Sequence, residues 1–205
     1  MRTFLDVSSE VQGALFRRYH GPSVMYCSSC SSQAPIETIY RCKECWKGQL
    51  YCRGCMVASH RSNPLHIVEE WTVSQKIWVR KTLEELDMVI RVGGHEGGPC
   101  PSRVNFSRKV CVVTMQGVQE AQFEFCECRT GGGNPTADYV QLLETGLWPG
   151  SWAMPRTVFS LDVLDTFKRF STQGNITAQD FLATLVRQTD GVTPSSVKVR
   201  QISIL

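Results

Sequence analysis

CSSCSSQAPIETIYRCKECWKGQLYCRGCMVASHRSNPLH, residues 27–66, packs eight metal-type ligands into one short stretch. Cys27 and Cys30, Cys42 and Cys45, and Cys52 and Cys55 form three CxxC pairs; His60 and His66 follow as a fourth pair. A CxxC turn sets two sulfurs on the same side of the chain, and a tetrahedral zinc takes two such pairs. The stretch therefore predicts two closed zinc sites, and a fold built around them.

Two wirings satisfy the count. Sequential wiring joins Cys27, Cys30, Cys42 and Cys45 at one ion and Cys52, Cys55, His60 and His66 at the other. Interleaved wiring joins Cys27, Cys30, Cys52 and Cys55, and separately Cys42, Cys45, His60 and His66. The gap WKGQLY (46–51) suits a short hairpin turning at Gly48, which brings the second pair beside the third and favours interleaving. After Cys55 the segment MVASHRSNPLH reads as a helical turn that delivers His60, with Pro64 stopping it before His66. The order and spacing over residues 27–70 resemble a B-box-type cross-brace, which implies interlocked sites.

Composition is compatible with this reading. A chain of 205 residues has room for one large or two small domains, and its 42% hydrophobic content supports a core. No apolar run approaches the roughly 18 residues of a membrane span. The start (MRTFLDVSSEVQGALFRRYH) lacks the apolar stretch and cleavage site of a secretory signal. An intracellular, reducing setting makes the ten cysteines metal ligands or buried thiols rather than disulfides. The formal charge of +3 counts every thiol as neutral. Nine zinc-bound thiolates would remove nine charges and three zinc ions would restore six, leaving formal neutrality. Global charge thus gives no support to strong non-specific DNA binding.

Beyond residue 86 the pattern changes. A short apolar run around Val89 and Ile90 leads into a glycine-rich turn carrying His95 and Cys100. RKVCVVTMQGVQEAQFEFCECRTGGG (108–133) reads as a β-hairpin: Val110, Val112 and Thr114 alternate with Cys111, Val113 and Met115. Gly117 marks its turn, and Ala121, Phe123 and Phe125 share one face of the return strand. Cys126 and Cys128 close that strand. If the Val89–Ile90 strand joins the sheet, His95, Cys100, Cys126 and Cys128 converge on a third zinc, while Cys111 is plain packing. Neither glycine run opens a helix with Lys-Ser or Lys-Thr, which argues against a nucleotide site.

Two helices are expected to finish the chain. Ser160 caps the first, with Leu161, Leu164, Phe167 and Phe170 as its stripe, and Gly174-Asn175 ends it. Thr177 caps the second, with Asp180 three residues on and Phe181, Leu182, Leu185 and Val186 as its apolar face. Trp148, Trp152 and nearby prolines predict an irregular crossing before them. The resulting expectation is an α+β chain. It comprises an N-terminal segment (1–26), a double-zinc module (27–70), a cysteine-cluster domain (86–190) and a tail (191–205).

The order of motifs as a whole resembles the CxC-type cysteine cluster associated with KDZ (Kyakuja, Dileera and Zisupton) transposases, fungal type. The resemblance rests on SHRSNPLHIVEEW, GGHEGGPCP, FCECRTGGG, QLLETGLWPGSW, PRTVFSLDVLDTF and ITAQDF, and adds weight to His95, Cys100, Cys126 and Cys128. It implies a zinc-binding accessory region, normally placed ahead of a transposase domain with an RNase H-like fold. It also implies DNA or a transposase or other protein as partner, nuclear localisation, and no small-molecule substrate. No run of basic residues supports the nucleus independently. The expected catalytic carboxylates have no counterpart: Asp162, Asp165 and Asp180 fall on helices as caps or solvated faces. The resemblance therefore implies a non-enzymatic remnant or domesticated piece of a transposon, with a free-standing B-box-like protein-interaction module as the alternative.

Overall fold

A computed structural model describes residues 3–22, 25–30, 38–93, 100–101, 107–128 and 135–197. His95, both glycine runs (94, 97–98 and 131–133) and residues 198–205 lie outside the described residues. The chain is a mixed α+β protein that divides into two compact units, Met1–Leu86 and Asp87–Leu205.

The first unit opens with a helix, α1 (Phe4–Tyr19), which buries none of its side chains. Sequence reading left this segment unassigned. Two short strands, β1 (Tyr40–Cys42) and β2 (Leu50–Tyr51), pair antiparallel. The hairpin expected at WKGQLY is thus present. Its turn is a single 3-10 turn at Trp46–Gly48, in which both Lys47 (φ 69°) and Gly48 (φ 55°) are left-handed. Helix α2 (Arg53–Ser59) starts at the third CxxC pair, earlier than expected, and ends at Ser59. Pro64 therefore does not stop it. The backbone leaves the helix at His60, whose N–H already reaches back only to Val57.

A second hairpin, β3 (Val68–Thr72) and β4 (Ile77–Lys81), went unread in the sequence and completes a four-stranded sheet of order β2-β1-β3-β4. Its only clear signal is the cross-strand pair Trp71 and Trp78, whose ring centroids lie 5.2 Å apart. Ile39, Met56, Ile67, Val68, Leu83 and Leu86 are buried with Cys27 and Cys42. Ligand cysteines are therefore part of this small core.

The second unit holds a five-stranded mixed sheet of order β5-β7-β6-β9-β8. The predicted hairpin is β6 (Ser107–Thr114) and β7 (Gly117–Glu124). Met115 and Gln116 form its two-residue turn, and Gly117 (φ 122°) opens the return strand. β5 (Val89–Arg91) joins parallel to β7, meeting the condition set for convergence of the thiols. Between hairpin and helices the structure has regular elements where an irregular crossing was expected: α3 (Asp138–Glu144), β8 (Leu147–Pro149) and β9 (Thr157–Ser160). β6 is the central strand, between β7 and β9, and Val110, Cys111, Val112 and Val113 are all buried, so strict alternation is lost.

The final helices are α4 (Leu161–Gly174) and α5 (Ala178–Thr189). Thr177 caps α5 through the Asp180 N–H (3.1 Å), and left-handed Asn175 ends α4. The expected α4 stripe needs correction. Val163 is the buried centre, flanked by Leu164, while Leu161 and Phe170 are exposed. Ser160 occupies the N-cap position without a side-chain capping bond. Cys111 packs with Val113, Val118, Phe159, Val163 and Leu185, as a core thiol. Asp162, Asp165 and Asp180 are all exposed on α4 and α5. No helix among the described residues is long and apolar enough to cross a membrane.

Candidate metal centres

Among the described residues, three groups of potential ligands have their donor atoms within 4.8 Å of one another. Cys27, Cys30, Cys52 and Cys55 form the first; Cys42, Cys45, His60 and His66 the second; Cys100, Cys126 and Cys128 the third. The first two follow the interleaved order. β1 and β2 explain it: their antiparallel pairing carries Cys42 and Cys45 to one end of the hairpin, while Cys52 leaves the other strand toward α2. The Ser28 N–H donates to the Leu50 carbonyl (2.8 Å), which ties the first CxxC knuckle to β2 and so to Cys52.

Distances test whether these donors fit a metal. Sulfurs bound at 2.3 Å to a tetrahedral zinc stand about 3.8 Å apart, and a sulfur and an imidazole nitrogen about 3.5 Å apart. The Cys30 and Cys52 sulfurs are separated by 4.0 Å. In the second group Cys42 Sγ to His66 Nδ1 is 3.5 Å, Cys45 Sγ to His60 Nε2 is 3.4 Å, and Cys45 Sγ to His66 Nδ1 is 3.6 Å. In the third, Cys100 Sγ lies 3.6 Å from Cys126 Sγ and 3.3 Å from Cys128 Sγ. Two sulfurs in a disulfide would stand about 2.05 Å apart. The residues therefore fit a tetrahedral, thiolate-rich ion, and zinc is the metal that such donors favour.

His60 is oriented by its other nitrogen. His60 Nδ1 lies 2.9 Å from the Met56 carbonyl, an acceptor only, so Nδ1 carries the proton and Nε2 offers its lone pair to the cluster. Burial pushes the His60 imidazole below its ordinary value, which keeps it neutral and ligand-competent. His66 presents the opposite nitrogen: Nδ1 faces the sulfurs and Nε2 lies 4.0 Å from Glu44. Glu44 is itself anchored by the Ile67 N–H. Sequence reading singled out neither Met56 nor Glu44.

The thiols divide by surroundings. At Cys27 burial raises the pKa, but N–H groups of Cys30, Cys52 and Ser29 outweigh it and bring the thiol down to about 6. Burial pushes Cys42 up to about 11. The neighbouring Cys52 and Cys27 thiols push Cys55 up to about 12. Burial, with Cys100 and Cys128 alongside, pushes Cys126 up to about 11. Crowded thiols without a cation resist ionising together, and a divalent ion reverses that preference.

The third group is built differently. Gln141 on α3 is 2% exposed and grips the segment that carries the thiols. Its Oε1 accepts from the Cys126 N–H (2.7 Å), and its Nε2 donates to the carbonyls of Cys126 (2.9 Å) and Thr136 (2.8 Å). Gly93 closes the other side, where a Cβ would stand 2.2 Å from the Cys126 Cβ. Sequence reading missed both roles, although Gln141 opens QLLETGLWPGSW and Gly93 opens GGHEGGPCP. His95, the expected fourth ligand, lies outside the described residues.

No curated protein and no solved structure matches this chain. A family model does, over residues 83–193, and it describes a cysteine cluster that accompanies transposases rather than their catalytic domain. The match spans the hairpin, the third thiol group, the Gln141 clamp and both final helices. With more than half of its length matched, the chain belongs to the family of CxC2-like cysteine clusters associated with KDZ transposases.

Proposed function

We propose that this chain is a non-enzymatic, zinc-binding accessory region of a KDZ-type transposase, used for recognition of DNA or protein during transposition. The observation that carries the reading is the match between sulfur–sulfur and sulfur–nitrogen separations and those around tetrahedral zinc. Cys27, Cys30, Cys52 and Cys55 would hold one ion, and Cys42, Cys45, His60 and His66 a second. Cys100, Cys126 and Cys128, with His95 as fourth ligand, would hold a third. Bound zinc would supply a structural cross-link. Four protein ligands per ion leave no position for water or substrate, which separates these centres from catalytic zinc sites. We take residues 27–70 and 86–190 as the two functional modules, acting in the nucleus where the transposon DNA lies.

The interleaved order of the first two groups also supports the second reading, a B-box-like cross-brace serving protein–protein contact. Native mass spectrometry of the whole chain tests the common core. Three zincs are expected. Two would remove the His95 centre, and none would overturn the proposal.

A further inference from the structure

A cleft of about 570 Å³ in the first unit is lined by the last turn of α1 on one side and the second metal knuckle on the other. Among the described residues, Arg17, Arg18, Arg41, Lys43 and Lys47 line it, against one carboxylate, Glu69. That carboxylate is already committed: Arg41 donates to it through Nε (2.7 Å) and lies over the Trp78 ring at 4.1 Å. Arg41 also donates to the Arg18 carbonyl (2.6 Å), which ties the end of α1 to β1. Arg41 is thus a structural cation, and Arg17, Arg18, Lys43 and Lys47, all exposed, supply the cleft's field.

The metal centre beneath does not cancel that field. Cys42 and Cys45 line the cleft, and two thiolates with two neutral histidines around a divalent ion sum to zero charge. Aromatic rings accompany the cations. Tyr19 lines the cleft and is 65% exposed; Trp46, between Cys45 and Lys47 in the chain, is 87% exposed. Exposed rings set among cations are what a chain of unpaired bases uses, stacking bases on rings while phosphates meet Arg and Lys. An acidic polypeptide would need the cations but not the rings. Stacking on protein rings needs unpaired bases, so the exposed rings favour a strand segment over a duplex, whose bases are already stacked on one another.

We propose that this cleft binds single-stranded nucleic acid, with Arg17, Arg18, Lys43 and Lys47 on the phosphates, Tyr19 as the stacking surface within it, and exposed Trp46, outside the lining but between Cys45 and Lys47 in the chain, as a second. The proposal rests on the zinc reading, because the second metal centre holds the wall that carries Lys43 and Lys47. It also reaches beyond the region covered by the family match, which begins at residue 83.

The test is fluorescence anisotropy of the zinc-loaded full chain with a labelled twelve-nucleotide oligothymidine, the matching duplex, and polyglutamate as competitor. Four phosphate contacts at a slope of about −0.7 each predict a roughly fiftyfold loss of affinity between 50 and 200 mM salt. The variant R17Q/R18Q/K43Q/K47N, in which Asn keeps the left-handed turn, should bind at least tenfold more weakly and lose most of that slope. Y19A and W46A should each weaken binding at least fivefold. The control R61Q/K76N removes two exposed cations of the same unit outside the cleft and should leave binding unchanged. Equal binding by the quadruple variant, tighter binding of duplex with Y19A and W46A silent, or full displacement by polyglutamate would each overturn the proposal. Zinc counted on the same samples separates the failures. A zinc-free chain defeats the functional reading, whereas a zinc-loaded chain that ignores the oligonucleotide defeats only this one.

Discussion

The two units reach metal-binding geometry by opposite routes. In the first, ligands and core are nearly the same residues: Cys27 and Cys42 are among its most buried side chains, and its first strand pair is only two residues deep. In the second, a five-stranded sheet with two packed helices has its own core, and the clustered thiols Cys126 and Cys128 follow the end of β7 rather than join that core. The Gln141 clamp and the close approach of Gly93 position Cys126 before any ion arrives. The difference teaches that ligands can be the core of one unit and be carried on a separate core in the other.

Chelation is the strongest way to break this contrast. Structural zinc in small modules contributes about 10–16 kcal/mol of apparent folding free energy. Stripping the metal should therefore unfold the first unit while the second keeps its sheet. Hydrogen exchange reads both at once: protection should vanish at Tyr40–Cys42 and Met56 and persist at Val110–Val113. Equal loss in both units would erase the distinction.

A single ligand sharpens the same point. Cys42→Ser should eject the ion from the second group and, because β1 also sets the first, loosen both, giving a loss of several kcal/mol on thermal melting. Cys128→Ser should cost the third ion alone, with the melting temperature of the second unit nearly unchanged. Cobalt substitution gives the readout, since thiolate-to-cobalt absorption falls only at the affected centre. A Cys128→Ser chain that melts as early as Cys42→Ser would contradict the comparison.

Gln141→Leu probes the clamp. It removes the side chain that accepts from the Cys126 N–H and donates to the carbonyls of Cys126 and Thr136. Each hydrogen bond lost is worth about 0.5–1.5 kcal/mol, so the second unit should lose about 1–3 kcal/mol while the first is untouched. Retention of both full stability and the third ion would remove Gln141 from the account.

The smallest expected effect concerns Glu85, which accepts from the Thr82 N–H (2.7 Å) and pairs with Lys81. Partial burial raises its pKa, but these bonds outweigh it and hold the carboxyl below its ordinary 4.5. A depressed folded pKa contributes stability above 4.5 that is lost as pH falls through the folded value. Glu85→Gln should thus cost the first unit less than about 1 kcal/mol at pH 7, solvent screening included. The gap between variant and wild type should close on acidification, and a gap that widens instead would refute the assignment.

Legibility followed the range of the interactions. The hairpin at WKGQLY, the β6–β7 hairpin and the capped helix after Thr177 were readable because their signals span a few residues: paired spacings, alternation, a cap. The β3–β4 hairpin was not, since VEEWT and IWVRK declare themselves only through the Trp71–Trp78 contact across the turn. Helix α3 was too short for periodicity to mark it. The α4 stripe was misplaced because Val163, not Leu161 or Phe170, meets the sheet, and which helical face is buried depends on where β9 directs the chain. Gln141 carries no local signal, because two of its three hydrogen bonds go to a residue fifteen positions away.

By itself the sequence determined that this chain carries metal-ligand chemistry, an α+β pattern and the motif order of a transposase-associated cysteine cluster. Those properties reside in residue type and local spacing. Only the tertiary structure decided which pairs of ligands meet, that Cys126 is clamped by a glutamine fifteen residues on, and that scattered cations from α1 and the second knuckle share one cleft. Each of these depends on strand register and on contacts between segments distant in sequence, and no local spacing encodes them.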